Sequence, residues 1–414
     1  MKGNQMKNKL CKFIAIFTAL ILLMLCSAIP SSANTTVQDM YLRVGLYYNR
    51  GTQLSVNAFA ENGFIFGRYA NMGHDFVPVY NVGADDRFIA CVADKTVYMR
   101  DNALSETDYS GLRIGAYHLE AAAEYSTEQS VRAAADSVKN MGYMAFPAYT
   151  GTSYKLRVGA YSSAEEAATE MSYVSNAVGQ NVSIVGEKSN VITVVNMNTG
   201  DIIFEFDCDN AYGYTFAARP QYQPDAEFST MKHGSYRYRG TFEYQLKSGK
   251  INLVNVLEMQ EYLYGVLSYE IYPSWPLEVQ KAHALISRTY ALSHFDKHLS
   301  KGYNVCSSDN CQVYYGCGRE NDVVRQAVDE TKGMVITYNG ELADTYFFSA
   351  SGGYTESSSN VWGGESKPYL QPVRDYYEDT NNVSNGAWSF EVTPVPLFLP
   401  KKVSEPPEIV PDKP

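Results

Sequence analysis

Beyond its first residues the sequence has no stretch in which lysine and arginine concentrate, and its formal net charge is −11. Proteins bind nucleic acids and anionic lipids mainly through clustered positive charge, so neither is expected as the main partner. The sequence also has no second long apolar run after the N-terminal one, whereas a membrane-spanning helix needs about 20 apolar residues. The composition therefore predicts no nucleic-acid role and no membrane span after the N-terminal segment.

Cysteine and tryptophan are scarce, whereas tyrosine is abundant: the chain has 7 Cys, 3 Trp and 34 Tyr. Five cysteines lie outside the N-terminal segment, and an odd number does not make a complete disulfide framework. Cys306, Cys311 and Cys317 lie within 12 residues of one another, so any special cysteine chemistry belongs there. The tyrosines suit half-buried strands first and carbohydrate surfaces second, because the ring has an apolar face and a hydroxyl.

The N-terminal segment, residues 1–33, has the pattern of an export signal. Four lysines precede an apolar run over residues 13–29, and Ser31, Ser32 and Ala33 follow it with the small side chains that a signal peptidase recognises. Cleavage after Ala33 and retention as a membrane anchor both stay open, since the run is slightly shorter than a usual span. Either alternative predicts a protein that works on the outer side of a cytoplasmic membrane.

Two regions with strand patterns and helical repeats follow. Residues 41–112 form a β-rich part, with strands expected at 41–48, 64–66 and 76–82, and Pro78 places the last of these at a sheet edge. Residues 113–186 repeat a Tyr-x-Leu strand, at Tyr117 and Tyr154, 37 residues apart. Each strand precedes an amphipathic helix, and the helices are expected to begin at capping boxes opened by Ser126 and Ser163. The pair predicts a small sheet with two helices on one face.

The second of these units resembles the sporulation-related repeat (SPOR) of cell-wall proteins. The likeness lies in YKLRVGAYSSAEEAATEMSYV, which begins at Tyr154. It implies binding to peptidoglycan glycan strands that lack stem peptides. A spacer domain without a ligand is the alternative.

The remaining chain predicts a scaffold that joins strands to helices. Strands are expected at residues 191–196 and 202–206, a hairpin over 238–256 with its turn around Gly249, and a strand over 334–348. Helices are expected at residues 257–267 and from Pro276 to Gly302. The tail, residues 393–414, has seven prolines in 22 residues and is expected to be extended and disordered. The predicted fold class is α+β.

Several ordered motifs lie between residues 254 and 377. They are Val254-Asn255-Val256-Leu257, Glu261-Tyr262-Leu263-Tyr264-Gly265-Val266, Glu270, Ser274-Trp275-Pro276, Ser287-Arg288-Thr289-Tyr290, Cys311-Gln312-Val313-Tyr314, Ser351-Gly352-Gly353-Tyr354 and Val361-Trp362-Gly363-Gly364. Together they resemble the domain that stage II sporulation protein D shares with the amidase enhancers (SpoIID/LytB). The resemblance covers roughly residues 236–378 and places a catalytic domain of this family at 190–392.

The resemblance implies a peptidoglycan lytic transglycosylase whose catalytic residue is Glu270. One carboxyl group protonates the leaving glycosidic oxygen and then, as a base, takes the proton from the muramyl hydroxymethyl group. This double role requires a raised pKa, and Tyr269, Ile271, Tyr272 and Trp275 are expected to desolvate Glu270. The alternative is a surface glutamate at a helix end.

Other motif residues are candidate substrate contacts: Arg288, Gln312, Tyr314, Ser351 and Gly352. A salt bridge on a helix face explains Arg288 equally well. Positive φ or close approach of a ligand is expected at Gly352.

Cys306 and Cys311 have the spacing of two thiolate ligands of a structural zinc. Family members often place a histidine before the second cysteine, where this chain has Asn310. A remote ligand, a disulfide that includes Cys317, and free thiols therefore remain open, and no cofactor is required for the reaction.

The sequence thus predicts an exported enzyme that acts on peptidoglycan glycan strands. A non-catalytic wall-binding protein that recruits or stimulates an amidase is the second hypothesis. Retention of Glu270 favours the first hypothesis. The second is favoured by the short continuation after Trp388, because family members usually continue with further strands there.

Overall fold

The computed structural model describes residues 40–47, 51–70, 75–207, 214–224, 226 and 228–376. The predicted export segment and the predicted proline-rich tail lie outside these residues. The chain divides into two compact units, Met1–Thr345 and Tyr346–Pro414. In the described part no helix is long and apolar enough to cross a membrane.

The first unit is mixed α+β, as predicted. Its strands are β1 Tyr41–Tyr47, β2 Ser55–Phe59, β3 Phe64–Ala70, β4 Phe76–Val82, β5 Phe88–Ala93, β6 Val97–Arg100, β7 Ala103–Ser105, β8 Leu112–Ile114, β9 Tyr117–Ala121, β10 Ala145–Tyr149, β11 Tyr154–Tyr161, β12 Val182–Val185, β13 Val191–Asn196, β14 Ile202–Asp207, β15 Tyr214–Pro220, β16 Met231–His233, β17 Tyr236–Tyr238, β18 Thr241–Lys247, β19 Lys250–Glu258, β20 Val305–Cys306, β21 Thr337–Tyr338 and β22 Glu341–Leu342. Its helices are α1 Glu128–Lys139, α2 Ala164–Val178, α3 Met259–Glu270, α4 Leu277–Ser293 and α5 Asp322–Glu330.

One sheet of seven strands forms the base under the helices, in the order β20-β1-β19-β18-β15-β3-β4. Pro78 lies in the edge strand β4, which confirms its predicted place, because proline cannot donate a ladder hydrogen bond. The predicted hairpin is also confirmed: β18 and β19 pair from Lys247 and Lys250 onward. Ser248 and Gly249 both have positive φ there, which is the geometry of a tight two-residue turn.

The repeat region forms the predicted strands and helices, with one shifted cap. Ser163 caps α2 by accepting a hydrogen bond from the backbone N–H of Glu166, as expected, and Gly179 ends that helix at φ +67°. The cap of α1 is Thr127 rather than Ser126, because the Thr127 side chain accepts from the backbone N–H of Ser130. The buried face of α1 packs on β10 and β11 and that of α2 on β9, β11 and β12, around Leu119 and other apolar side chains.

The repeat region does not make a separate small sheet. Its four strands continue into the scaffold in one ten-stranded sheet, ordered β12-β9-β11-β10-β14-β13-β5-β2-β16-β17. The junction is a short parallel pairing of β10 with β14, at Ala148 and Glu205. The predicted module and the scaffold therefore share backbone hydrogen bonds across the boundary near residue 190.

The helical part differs from the sequence prediction mainly at its ends. Helix α3 follows β19 directly and runs three residues past the predicted end, and α4 ends at Ser293 rather than near Gly302. The prediction of a long strand over residues 334–348 is wrong. Only β21 and β22 form there, as a two-stranded hairpin around Asn339 and Gly340.

The second unit is described from Tyr346 to Tyr376. It contains one short helix, α6 Ser358–Trp362, capped by the Ser357 side chain. Gly352 and Gly353 have φ +69° and +96°, so the positive φ predicted at Gly352 is present.

Candidate functional site

Glu270 is the last residue of α3, at a point where the chain turns away from the core. Almost the whole circumference of α3 is buried, so its position is fixed by packing. The helix ends because Pro273 follows shortly and cannot continue it. The Glu270 Oε1 atom accepts a hydrogen bond from the backbone N–H of Val313 at 2.5 Å. No described residue makes a hydrogen bond with the second oxygen, Oε2, which leaves that oxygen available to a ligand.

The pKa of Glu270 is raised above its usual range. Burial is the main cause, the hydrogen bond from Val313 opposes it, and the negative charge of Asp309 raises it further. The carboxyl also lies at the negative end of the α3 dipole, which disfavours its anionic form. A half-buried carboxyl with these neighbours is suited to hold a proton and release it during a reaction.

The aromatic residues expected to desolvate Glu270 are arranged differently. Tyr272 and Trp275 are 69% and 44% exposed and pack on each other, with ring centroids 5.6 Å apart. The turn after α3 thus carries both rings towards solvent, and their role in desolvating Glu270 stays a prediction.

Tyr269, which was expected to desolvate Glu270, packs with two partly exposed tyrosines that the sequence did not single out; we call Tyr236, Tyr269 and Tyr315 the tyrosine cluster. The rings of Tyr236 and Tyr315 stack at 4.9 Å, and Tyr269 meets both edge-on at 6.5 and 5.3 Å. The Arg319 guanidinium lies 4.7 Å from the Tyr269 ring centroid. Tyr269 precedes Glu270 and Tyr315 follows Val313 by two residues, so the cluster is joined to the site on both sides. The sequence signal for this cluster was the pair Tyr314-Tyr315 at the end of the Cys311-Gln312-Val313-Tyr314 motif.

Gln312 and Tyr314, predicted to contact the substrate, are instead fully buried. The Tyr314 hydroxyl donates to Asn255 Oδ1 at 2.7 Å, and the Tyr262 hydroxyl donates to Gln312 Oε1 at 3.1 Å. Neither side chain reaches a surface where a glycan could touch it. We correct their assignment to packing residues that hold the backbone of Val313 in place.

Arg288 is also fully buried and is corrected in the same way. Its guanidinium donates to Met334 O at 3.0 Å, to Gln260 Oε1 at 3.2 Å and to Val328 O at 3.2 Å. Among the described residues Arg288 has no carboxylate partner; it instead satisfies a carbonyl near the C-terminal end of α5. Burial without a carboxylate partner lowers its pKa to about 10.

Cys306 and Cys311 lie beside a histidine that the sequence analysis did not single out. The ligand atoms of His298, Cys306 and Cys311 all lie within 4.8 Å of one another, and all three residues are buried. Cys311 Sγ is 3.4 Å from His298 Nε2. No disulfide forms among the described cysteines, which are Cys91, Cys306, Cys311 and Cys317.

Two predicted contacts, Ser351 and Gly352, belong to the second unit. Ser351 Oγ accepts from the Gly353 N–H at 3.1 Å and lies 3.4 Å from Asp375 Oδ2. These bonds explain the local turn, and a substrate role for either residue stays a prediction.

Comparison with known proteins agrees with the resemblances in the sequence. Residues 247–338 match the family described as Stage II sporulation protein (SpoIID), and residues 114–185 match the SPOR domain. An uncharacterized protein of Brachyspira hyodysenteriae is 38% identical over 137 residues, which are 33% of this chain and 37% of that protein.

Two relatives from Bacillus subtilis (strain 168) have descriptive names. The amidase enhancer is 39% identical over 113 residues, covering 27% of this chain and 15% of the relative. Stage II sporulation protein D is 30% identical over 140 residues, covering 30% of this chain and 40% of the relative. The chain thus spans well under half the length of each of these relatives. It carries a stage II sporulation protein segment, in which Glu270, Val313 and the His298–Cys306–Cys311 group all lie, and a SPOR domain.

Proposed function

We propose that this chain is an exported lytic transglycosylase that cleaves peptidoglycan glycan strands with Glu270 as its acid and its base. The two domain matches support a role at the cell wall. The observation that carries the enzymatic proposal is the Glu270 carboxyl: its pKa is raised, Val313 holds one oxygen, and the other oxygen is available.

The proposed reaction uses this carboxyl twice. Protonated Glu270 donates its proton to the glycosidic oxygen as the bond to the muramyl anomeric carbon breaks. The carboxylate then removes the proton of the muramyl hydroxymethyl group, whose oxygen bonds to the anomeric carbon and closes an anhydro ring. Glu270 is protonated again at the end, and no water is consumed. The N–H of Val313 stabilises the transient carboxylate and fixes its direction.

The tyrosine cluster supports a glycan as the ligand of this site. Tyr236 and Tyr315 are 40% and 38% exposed, and their stacked rings present flat apolar faces with hydroxyl groups at the edges. Such surfaces suit sugar rings, which have apolar faces and polar edges. We assign the cluster to holding sugars next to Glu270.

We also propose a structural zinc at His298, Cys306 and Cys311. Two thiols and an imidazole are a usual zinc donor set, and these three are buried and close together. The segment between the cysteines leads directly to Val313, so the metal would hold the backbone N–H that contacts Glu270. Metal analysis of the purified protein tests this proposal; Cys306→Ser with Cys311→Ser is expected to lower the zinc content by one equivalent per chain, and no loss would contradict it.

The enzymatic proposal is tested with the full mature chain on purified glycan strands. Glu270→Gln is expected to abolish anhydro-muramyl products in mass spectrometry while binding to strands stripped of stem peptides persists. Glu330→Gln is the matched control, because Glu330 is the last residue of α5 and pairs with Lys281, which contributes to lowering its pKa. Equal products from wild type and Glu270→Gln would refute the role of Glu270.

The second candidate is a wall-binding protein that stimulates an amidase, favoured by the relative named amidase enhancer. Under this alternative the wild-type chain gives no anhydro product, and wild type and Glu270→Gln raise the activity of an added cell-wall amidase equally. The full chain is used for the binding assays because the SPOR strands share a sheet with the scaffold.

A further inference from the structure

A second group of metal-ligand side chains lies far along the chain from the cysteines. Asp94, His118 and Glu205 are each more than nine-tenths buried, and one ligand atom of each lies within 4.8 Å of the others. Asp94 follows β5, His118 lies in β9 and Glu205 lies in β14. We propose that these three side chains bind a divalent transition-metal ion, Zn²⁺ or Mn²⁺, which fastens the SPOR domain to the scaffold.

Each of the three side chains is held by a hydrogen bond at one polar atom and turns a second polar atom towards the other two side chains. The backbone N–H of Lys188 donates to Asp94 Oδ2 at 2.8 Å, and Asp94 Oδ1 has no hydrogen-bond partner. His118 Nδ1 is 2.7 Å from Gly159 O, so in a neutral imidazole the proton lies on Nδ1 and the lone pair lies on Nε2. A metal-bound histidine typically donates its second ring N–H to a carbonyl in this way.

The third side chain follows the same pattern. Arg157 Nη1 donates to Glu205 Oε2 at 2.6 Å, which leaves Oε1 at the centre of the group. Glu205 Oε1 lies 3.0 Å from His118 Nε2, but the two atoms lack hydrogen-bond geometry. Thr193 Oγ1 donates to the same oxygen at 3.0 Å, as a partner behind a metal-bound carboxylate would. An imidazole with two carboxylates is a donor set that suits Zn²⁺ and Mn²⁺.

The charges of the side chains around this group also favour a bound cation. Arg157 and Lys188 are the cations of this network, and both contact Asp207. Four carboxylates face these two cations: Asp94, Glu120, Glu205 and Asp207. When Asp94 is ionised and His118 is neutral, as metal binding requires, the network lacks two positive charges, which one divalent ion supplies. Buried charges without such compensation are strongly disfavoured.

The position of the group explains what the ion would do. Strands β9 and β14 are separated by two strands in the sheet order, so a flat sheet would hold them roughly 14 Å apart. Glu205 Oε1 nevertheless lies 3.0 Å from His118 Nε2, which requires the sheet to curl at the junction of the SPOR strands and the scaffold. A metal ion there would hold the sheet in this curved form and fix the SPOR domain relative to the seven-stranded sheet.

The experiment uses the full chain with Cys306→Ser and Cys311→Ser, which removes the other candidate zinc site. After chelator treatment and reloading with Zn²⁺, this parent is expected to hold one equivalent of zinc by elemental analysis. Adding Asp94→Asn to this parent removes a ligand oxygen with little change of side-chain shape. It is expected to abolish binding of that equivalent of zinc. Asp201→Asn, at an exposed position just before β14, is the matched control and is expected to retain the bound zinc.

A cobalt spectrum gives a readout that does not depend on a variant. Co²⁺ in the parent is expected to give visible bands of nitrogen and oxygen ligation without thiolate charge-transfer absorption. Absence of bound zinc in the parent, or the same zinc content in the parent and in Asp94→Asn, overturns the proposal. Neither depends on whether the chain cleaves glycans.

Discussion

The substitution Gly265→Ala tests whether packing behind α3 controls the position of the Glu270 carboxyl. A Cβ atom on Gly265 would lie 2.5 Å from Tyr314 Cε2 and 3.0 Å from the carbonyl oxygen of Gly316. The Tyr314 ring is fully buried and its hydroxyl is bonded to Asn255, so it has no free space to enter. The overlap must displace either α3, which ends in Glu270, or the segment that carries Val313.

The expected size follows from two opposing effects. Overpacking of this kind costs about 1–3 kcal/mol, and replacing glycine by alanine inside a helix recovers about 1 kcal/mol. We therefore expect a net loss of up to about 2 kcal/mol in the free energy of unfolding, measured by urea denaturation. Glycan cleavage is expected to fall by about tenfold to a hundredfold, because a shift of about 1 Å in a catalytic group has effects of that size.

A double-mutant cycle with Tyr314 measures the contribution of this contact. Tyr314→Leu removes the ring that the new methyl group meets, so Gly265→Ala should cost less in that background, with a coupling energy above about 0.5 kcal/mol. Gly51→Ala is the control, since no atom lies within 4 Å of a Cβ there. Additive effects of the two substitutions would show that Tyr314 is not the obstacle.

Three further predictions concern burial and charge. Asp309→Asn removes one of the causes that raise the pKa of Glu270, so the alkaline limb of the pH profile of cleavage shifts to lower pH; an unchanged limb contradicts this. Burial lowers the pKa of His283 to about 4, so the unfolded chain binds a proton that the folded chain rejects. Stability should fall by about 3 kcal/mol between about pH 6.5 and 4, and urea denaturation of His283→Gln should show a smaller fall. Arg288→Met removes the donor to Met334 O and to the buried Gln260 Oε1 and is expected to lower the free energy of unfolding by about 2–4 kcal/mol in the same assay; a loss under about 1 kcal/mol contradicts that role.

The sequence predicted features whose signal is local. The hairpin turn at Ser248 and Gly249 and the helix cap at Ser163 depend on the conformational preferences of a few residues, and both are present. The edge position of Pro78 follows from its missing N–H. The strand expected over residues 334–348 failed because alternation of apolar residues does not reveal whether a partner strand exists.

The site was predictable only in part. Motif order identified Glu270, but burial decides what its neighbours do, and burial depends on the whole fold. Gln312 and Arg288 had motif positions that suggested substrate contact, yet both lie inside the core. The group around His118 was missed because its members come from strands far apart in the chain, which only the three-dimensional structure brings together. His298 was missed although it lies only 13 residues before Cys311, because the histidine was expected directly before that cysteine.

The central claim is that Glu270 cleaves the glycan strand without consuming water. Glycan strands are therefore digested in water labelled with heavy oxygen, and the new ends are analysed by mass spectrometry. Hydrolysis places a solvent oxygen on the new reducing end, whereas ring closure by the muramyl hydroxymethyl oxygen does not. We predict unlabelled anhydro ends from the wild type and from Glu330→Gln, and none from Glu270→Gln. Labelled reducing ends, or cleavage that survives Glu270→Gln, would contradict the account.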